Sequence, residues 1–253
     1  MRVFASDLDN TLIYSYRHPI GDNKVLAELY EGREVSFMTK QSHEMLNQVF
    51  HKMTFIPVST RSVGQYRRIR FHRDWEPSLA LVSNGGTLLI DGKEDQEWKE
   101  QSLKTIRPAR EQLEYAWGLL EQDNARTLDV RMVDDLFVFT KSGRVRETVD
   151  RLRESLDLSQ VEVWENGNKV YVIPLLLNKG QAIRRLRERF CIDFVASAGD
   201  SLFDIPLLHE ADVAFYPTEL SYPSRQGQVC IPVDTGSKVF SDVVLGKLLQ
   251  GYL

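Results

Sequence analysis

Residues 4–12 of the chain, Phe-Ala-Ser-Asp-Leu-Asp-Asn-Thr-Leu, form the stretch that decides the fold. The apolar residues from Val3 to Ala5 include β-branched and aromatic side chains, a composition that predicts a short buried strand. Polar and turn-forming residues follow from Asp7 to Thr11, so the strand is predicted to end in a polar loop. Because Asp7 and Asp9 are two residues apart, we expect both carboxylates to leave the strand on the same side, at the carboxyl edge of a sheet.

Further apolar runs end in the same way. Short runs at 55–58, 79–82 and 194–197 are each followed by polar residues, and apolar side chains at helical spacing occupy 42–53 and 180–189. Alternation of strand, polar loop and helix predicts an α/β fold in which a parallel sheet carries helices on its faces. Ligands bind at the carboxyl edge of such a sheet, which is where these loops are expected to meet.

The middle of the chain follows another pattern. A helix is predicted from Pro108, and a second one from about residue 144. Each helix is followed by two predicted strands, at 127–133 and 136–141 for the first, and at 161–164 and 170–177 for the second. This repeated helix-strand-strand unit predicts a small antiparallel sheet backed by two helices. The sequence therefore predicts an inserted α+β domain at 91–177 and a main domain formed by 1–90 and 178–253.

Composition limits the classes of function. The chain has 253 residues and a net charge of −4, so it has no basic field to hold a nucleic acid or an anionic membrane. The two cysteines, Cys191 and Cys230, are too few for a disulfide framework and lack the neighbours of a zinc site, and they are expected to be buried thiols. The amino terminus has no apolar signal stretch, and no apolar run is long enough to span a membrane, so a cytoplasmic location is expected.

The polar loops carry groups suited to phosphate and metal chemistry. Two adjacent carboxylates repel each other unless a cation or a proton lies between them, which favours Mg²⁺ beside Asp7, with Asp200 as a further oxygen ligand. A hydroxyl of Ser59 or Thr60 can donate to a phosphoryl oxygen, and Lys179 can supply a positive charge. Each group alone has an ordinary explanation as a turn residue, a helix cap or a surface lysine. Their convergence on one edge is what indicates a site.

In this order, the residues resemble the four motifs of the haloacid dehalogenase superfamily of phosphohydrolases: residues 7–11, Ser59, Lys179 and residues 199–204. The resemblance implies a Rossmann-like core that hydrolyses a phosphomonoester. It implies that Asp7 is the nucleophile that forms an aspartyl-phosphate, and that Asp9 is the general acid that later activates water. Members of the superfamily that cleave carbon–halogen bonds lack a carboxylate at the position of Asp9, so the resemblance implies phosphoryl transfer.

The resemblance also assigns ligands and substrate contacts. Mg²⁺ would be held by Asp7, by the backbone carbonyl of Asp9 and by Asp200. The transferring phosphoryl group would be held by Ser59 and Lys179. Thr60, Arg61 and Asn84 are predicted as further substrate contacts, since residues 84–86, Asn-Gly-Gly, resemble a signature of sugar-phosphate phosphatases.

The inserted domain looks like the smaller of the superfamily's two large cap types. Sucrose-phosphate phosphatases, mannosyl-phosphoglycerate phosphatases and Cof-type phosphatases carry caps of this kind, which implies a small phosphorylated metabolite as substrate, either a sugar phosphate or a phosphoglycerate derivative. Five polar or aromatic residues of this domain are candidates for substrate contact, although a solvated strand face explains each one singly: Arg131, Lys141, Trp164, Asn166 and Lys169.

Two other functions remain open from the sequence. Phosphomannomutases share the two-aspartate motif and this cap type, so a phosphomutase is the nearest enzymatic alternative. A catalytically idle binding or regulatory module is supported only by Phe203, which stands where the fourth motif usually has Asn. That change is expected to weaken metal binding, and Asp204 is expected to orient Lys179 or a metal-bound water. The oligomeric state is left open.

Overall fold

A computed structural model describes residues 1–236 and 238–252 of the chain. It divides into two compact units, one formed by Met1–Asp95 with Asn178–Leu253 and the other by Gln96–Leu177. The sequence predicted the divisions after residues 90 and 177. The first division lies later in the structure because the strand Lys93–Glu94 pairs with the strand Thr87–Ile90 and so stays with the first unit. Ser237 and Leu253, which the predicted range 178–253 includes, lie outside the described residues.

The strands are numbered in chain order. They are β1 (Arg2–Ser6), β2 (Tyr14–Ser15), β3 (Lys24–Tyr30), β4 (Arg33–Thr39), β5 (Thr54–Pro57), β6 (Leu79–Val82), β7 (Thr87–Ile90), β8 (Lys93–Glu94), β9 (Arg126–Val133), β10 (Phe137–Ser142), β11 (Val161–Asn166), β12 (Lys169–Pro174), β13 (Phe194–Ala198), β14 (Val213–Pro217) and β15 (Val229–Val233).

The helices are numbered in the same way. They are α1 (Lys40–Phe50), α2 (Val63–Tyr66), α3 (Gln96–Ile106), α4 (Arg110–Glu121), α5 (Val145–Ser155), α6 (Lys179–Phe190), α7 (Ile205–Glu210) and α8 (Phe240–Gly251). Within the described part of the chain, none of them combines the length and the apolar character that crossing a membrane requires.

The first unit is built on a five-stranded sheet with the order β15-β14-β13-β1-β5. All four neighbouring pairs run parallel, as the sequence predicts. Phe4 of β1 lies in the core cluster with residues of α1 and α8, whereas Val3 and Ala5 are equally buried on the opposite face. Helix α7 packs against α6, β13 and β14. A parallel sheet buried on both faces explains why β1 reads as a continuous apolar run.

A hairpin formed by β3 and β4 follows the first motif, and the sequence analysis did not predict it. Its two-residue turn is Glu31-Gly32, and both residues have positive φ, at 50° and 74°. Positive φ at both positions matches the right-handed twist of the paired strands. Glycine adopts it without steric cost, whereas Glu31 is an unusual residue for the first position. Asn-Gly or Asp-Gly is the common sequence signal, so this turn was easily missed.

The second unit has the predicted α+β architecture. Its four strands form an antiparallel sheet with the order β11-β12-β10-β9, and α4 and α5 pack on it. Residues 134–136 connect β9 to β10, and positive φ at Asp134 and Asp135 closes the hairpin. Helix α3 precedes the predicted helix-strand-strand repeat and was not anticipated. Its Trp98 is buried, at 2% exposed.

Two details of the predictions were wrong. The run 79–82 is a strand, but β6 pairs antiparallel with β7 in a three-stranded sheet outside the parallel one. Only a single bridge, between Val58 and Leu81, connects it to the continuation of β5. The cysteines are not buried, because Cys191 is exposed at the end of α6 and Cys230 is half-buried on the edge strand β15.

Candidate active site

Three adjacent strands bring their loops together at the carboxyl edge of the parallel sheet. Ser6, the last residue of β1, lies opposite Ala198 of β13 and Pro57 of β5. The backbone continues the pairing beyond the strand ends, with the Asp7 N–H donating to the Ala198 carbonyl at 2.9 Å and the Val58 N–H donating to the Ser6 carbonyl at 2.8 Å. The loops that follow β1, β5 and β13 therefore start side by side.

Lys179 links two of these loops through its ammonium group. Its Nζ donates to Asp7 Oδ1 at 2.5 Å and to Asp204 Oδ1 at 2.6 Å, and the residue is 1% exposed. The lysine is the first residue of α6, and Asn178 caps this helix by accepting from the Gln181 N–H at 2.9 Å. The start of α6 thus places the Lys179 ammonium group between Asp7 and Asp204, at the carboxyl edge of the sheet.

Glycine at position 180 allows α6 to approach this closely. A Cβ there would lie 2.4 Å from the backbone oxygen of Pro206, at the start of α7. A contact that short is sterically impossible without a shift of the backbone, so only glycine fits. The close approach of the two helix starts holds Lys179 over Asp204.

Asp204 is fully buried and every part of its carboxylate is engaged. Besides Lys179 on Oδ1, its Oδ2 accepts from the backbone N–H of Asp200 at 3.1 Å and of Ser201 at 3.0 Å, and from the Ser201 hydroxyl at 2.8 Å. Gly199 makes room for it, since a Cβ there would lie 2.3 Å from the Asp204 Cβ. Asp204 therefore orients both Lys179 and the loop that carries Asp200.

Asp200 completes a cluster of acids. Its Oδ1 accepts from the Thr11 hydroxyl at 2.8 Å, so a residue of the first loop orients a residue of the loop after β13. Asp7, Asp200 and Asp204 each place a carboxylate oxygen within 4.8 Å of the others. Three carboxylates and one ammonium leave an excess of negative charge, which a divalent cation can balance.

Burial and mutual repulsion set the protonation of this cluster. The pKa of Asp7 is raised well above its usual range. Desolvation is the largest cause and the charge of Asp204 the second, whereas the charge of Lys179 opposes the shift. The same two causes raise the pKa of Asp200 to about 7. For Lys179, burial lowers the pKa, but the charges of Asp204 and Asp7 outweigh it, so the ammonium form is held.

Ser59 and Asn84 meet at the same edge through their backbones. The Ser59 N–H donates to the Leu81 carbonyl at 2.8 Å, and the Ser59 carbonyl accepts from the Asn84 N–H at 2.9 Å. Ser59 is 1% exposed, and Thr60 beside it is half-buried. The turn that contains Asn84 lies against the start of α6, because a Cβ on Gly85, whose φ is +88°, would lie 2.4 Å from the Ala182 Cβ.

The guanidinium of Arg61, which the sequence analysis predicts as a substrate contact, lies beside Asp9. Its Nε and Nη2 donate to the two oxygens of Asp9 at 2.8 Å and 2.7 Å, and its Nη1 donates to Glu28 at 2.9 Å. Burial lowers the pKa of Arg61, but its bonds with Asp9 and the charge of Glu28 raise it overall. The guanidinium therefore contacts two carboxylates of the protein.

Sequence reasoning did not assign roles to three residues of this site, namely Thr11, Glu28 and Ser201. Thr11 and Ser201 stand inside the motifs, where their hydroxyls next to aspartates were a usable signal. Glu28 had no comparable signal, because it lies in a hairpin that was not predicted and reads as an ordinary surface acid. Its side chain is 1% exposed.

Comparison with known proteins agrees with this geometry. The family model described as sucrose-6F-phosphate phosphohydrolase matches residues 1–214. No curated protein matches the chain. Among solved structures, the sucrose-phosphatase of Synechocystis sp. PCC6803, in complex with sucrose and phosphate, is 16% identical, with 98% of each chain covered and a TM-score of 0.64.

Two further solved structures have the same fold. A trehalose-6-phosphate phosphatase related protein is 14% identical over 97% of this chain and 96% of its own, with a TM-score of 0.58. A sugar phosphatase of HAD subclass IIB is 11% identical over 87% of this chain and 89% of its own, with a TM-score of 0.54. With the family match over both units, these findings show that the chain belongs to the sucrose-6F-phosphate phosphohydrolase family and is a phosphatase of the haloacid dehalogenase superfamily.

Proposed function

We propose that this phosphatase hydrolyses the phosphomonoester of a small phosphorylated sugar, with Mg²⁺, through a phosphoryl group carried transiently on Asp7. The observation that carries the proposal is the placement of Lys179 between Asp7 and Asp204 at the carboxyl edge of the sheet. An ammonium bonded to the nucleophile lies where charge develops on a transferring phosphoryl group. The match to a phosphohydrolase family supports hydrolysis over transfer within one sugar.

The residues present fit a magnesium ion. Carboxylate oxygens are the ligands that this hard cation prefers. Asp204 already accepts four bonds from protein donors, which leaves Asp7 and Asp200 as the side chains with capacity for a metal. Mg²⁺ would be held by these two carboxylates and the backbone carbonyl of Asp9, and it would neutralise charge on the phosphoryl oxygens.

The residues of the chain then divide the chemistry between them. A carboxylate oxygen of Asp7 attacks phosphorus, the bond from phosphorus to the leaving oxygen breaks, and Asp9 gives that oxygen a proton. In the second half, Asp9 takes a proton from water as the water oxygen attacks phosphorus, and phosphate leaves with Asp7 restored. Lys179 and the hydroxyl of Ser59 hold the phosphoryl oxygens during both transfers.

The second unit has a sheet face suited to a sugar. Arg131, Phe139, Tyr171 and Trp164 lie directly opposite one another across its four strands. Residues opposite each other share a face, so aromatic rings and a guanidinium form one row. A second row on this face contains Lys141, Lys169 and Asn166. The five candidates for substrate contact in this unit therefore share one face, and this shared face supports a polyhydroxylated substrate.

A screen of phosphorylated metabolites tests the proposed function. We expect phosphate release from one or more sugar phosphates, with sucrose-6F-phosphate as the first compound to test because of the family match. Release should require Mg²⁺ and stop when a chelator removes it. Conversion of one hexose phosphate into its isomer without free phosphate would contradict hydrolysis and support a phosphomutase.

Replacing Asp200 with Asn tests the metal site. Asp200→Asn should raise the magnesium concentration for half-maximal activity by about 100-fold or more, because it removes a charged ligand. Thr11→Val, which removes only the hydroxyl that orients Asp200, is the matched comparison and should raise it by about tenfold. Phosphate release across a magnesium titration gives both values. An unchanged requirement in Asp200→Asn would show that the metal is held elsewhere.

A further inference from the structure

A buried acid, Glu28, lies behind the pair formed by Arg61 and Asp9. Its Oε2 accepts from Arg61 Nη1 at 2.9 Å and from the Ser36 hydroxyl at 3.0 Å. Arg68 Nη2 forms an ion pair with Oε1 at 2.9 Å. Burying a carboxylate is costly unless it is paired and hydrogen-bonded. Here both hydrogen bonds fall on Oε2, whereas the buried Oε1 is balanced by the charge of Arg68 without a hydrogen bond.

The strand that carries Glu28 is distorted at this residue. Ala27 and Glu28 are consecutive and each is 1% exposed, although neighbours in a regular strand face opposite ways. The register of β3 against β4 shifts on both sides of Glu28, between Leu26 and Glu28 and again before Leu29. Such bulges re-aim side chains and are frequent beside active sites. The irregularity turns the carboxylate of Glu28 toward Arg61 instead of solvent.

The side chains become more buried from Asp9 through Arg61 to Glu28. The exposed fraction of the side chain is 45% for Asp9, 11% for Arg61 and 1% for Glu28. A guanidinium is planar, so fixing its three nitrogens fixes the plane in which it meets the Asp9 carboxylate.

We propose that Glu28 is a positioning residue that holds Arg61 and, through it, the carboxylate of Asp9 in the orientation for proton transfer. The inference rests on the proposed role of Asp9 as the group that protonates the leaving oxygen. Glu28 itself exchanges no proton and touches no substrate. Its loss should therefore impair the proton transfers assigned to Asp9, of which kcat/KM reports the protonation of the leaving oxygen.

Sensitivity to the leaving group measures this effect. The value of kcat/KM reports the steps up to leaving-group departure, and 4-nitrophenolate leaves without a proton far more readily than phenolate does. We define the leaving-group ratio as kcat/KM for 4-nitrophenyl phosphate divided by kcat/KM for phenyl phosphate. Glu28→Gln should raise this ratio at least about tenfold, since general acid catalysis contributes about 10²–10⁴ in rate. A purely structural defect would lower both values alike and leave the ratio unchanged, which would overturn the proposal.

Matched variants separate this inference from the proposed function. Glu34→Gln makes the same chemical change at an exposed position on β4 of the same hairpin, and its ratio should stay unchanged. Asp9→Asn should raise the ratio more than Glu28→Gln does. If Asp9→Asn leaves the ratio unchanged, the proposed role of Asp9 fails. If Asp9→Asn raises it and Glu28→Gln does not, only the role of Glu28 fails.

Two further variants test the proposal if Glu28→Gln does not fold, as judged by thermal melting. Glu28→Asp keeps the charge but shortens the side chain, and Arg61→Lys keeps the charge but loses the two-pronged contact with Asp9. Both should raise the leaving-group ratio. In the Arg61→Lys background, changing Glu28 should give no further rise, because Glu28 acts through Arg61. An independent, multiplicative rise in the double variant would contradict the proposal.

Discussion

Asp7→Asn should abolish turnover while leaving the protein folded. The amide cannot form the phosphoryl-enzyme bond, so we expect kcat to fall by at least about 10⁴-fold, in the range seen when a nucleophile is removed. The fold should persist because Asn has nearly the same shape and its carbonyl oxygen can still accept from Lys179. Removing one of the clustered carboxylates also reduces their mutual repulsion. Phosphate release and a thermal melt of the same preparation measure the two effects.

Asp22→Asn is the control for this change, because Asp22 is exposed and undergoes the same chemical substitution. Its activity and melting temperature should match those of the unaltered protein. Substantial phosphatase activity in a folded Asp7→Asn preparation would remove Asp7 from the role of nucleophile.

Lys179→Met should reduce both activity and stability. Methionine matches the length of the side chain but leaves the carboxylates of Asp7 and Asp204 buried without their shared cation. Removing one partner from a buried charged network costs about 3–5 kcal/mol in the free energy of unfolding. Activity should fall by at least about 10²-fold, because the phosphoryl oxygens lose a fixed positive charge.

Denaturant unfolding and phosphate release measure these two losses. Lys247→Met on α8 is the matched control, since Lys247 is exposed and its replacement should change the free energy of unfolding by no more than about 0.5 kcal/mol. Equal stability of the Lys179 and Lys247 variants would show that the buried bonds of Lys179 contribute nothing to the fold.

The sequence allowed the parallel sheet and the acidic edge to be predicted because each signal there is local. A short apolar run followed by aspartates, hydroxyls or glycine occurs at Asp7, Ser59 and Asp200, and parallel pairing then brings the loops together. The antiparallel sheet of the second unit was equally accessible, since its helices and strands have regular apolar spacing.

The hairpin of β3 and β4 and its buried Glu28 could not be predicted, because their signals are not local. The bulge in β3 turns Ala27 and Glu28 inward together, which removes the alternation that identifies a strand. The partner of Glu28 is Arg61, 33 residues away, and no local pattern records that contact. The bonds of the Arg61 nitrogens with Asp9 and Glu28 were therefore not predicted, and the contact of Arg61 with substrate stays a prediction.

Mass spectrometry of acid-quenched Asp9→Asn protein tests the central claim most directly. With 4-nitrophenyl phosphate, the first transfer needs no proton donor, but the second lacks the base that activates water, so the phosphoryl-enzyme should accumulate. We predict a burst of nitrophenol matched by one phosphoryl group on the peptide that contains Asp7. This phosphoryl group should be lost slowly once the substrate is exhausted. A burst of nitrophenol without a phosphoryl group on Asp7, or with one on another residue, would contradict the account.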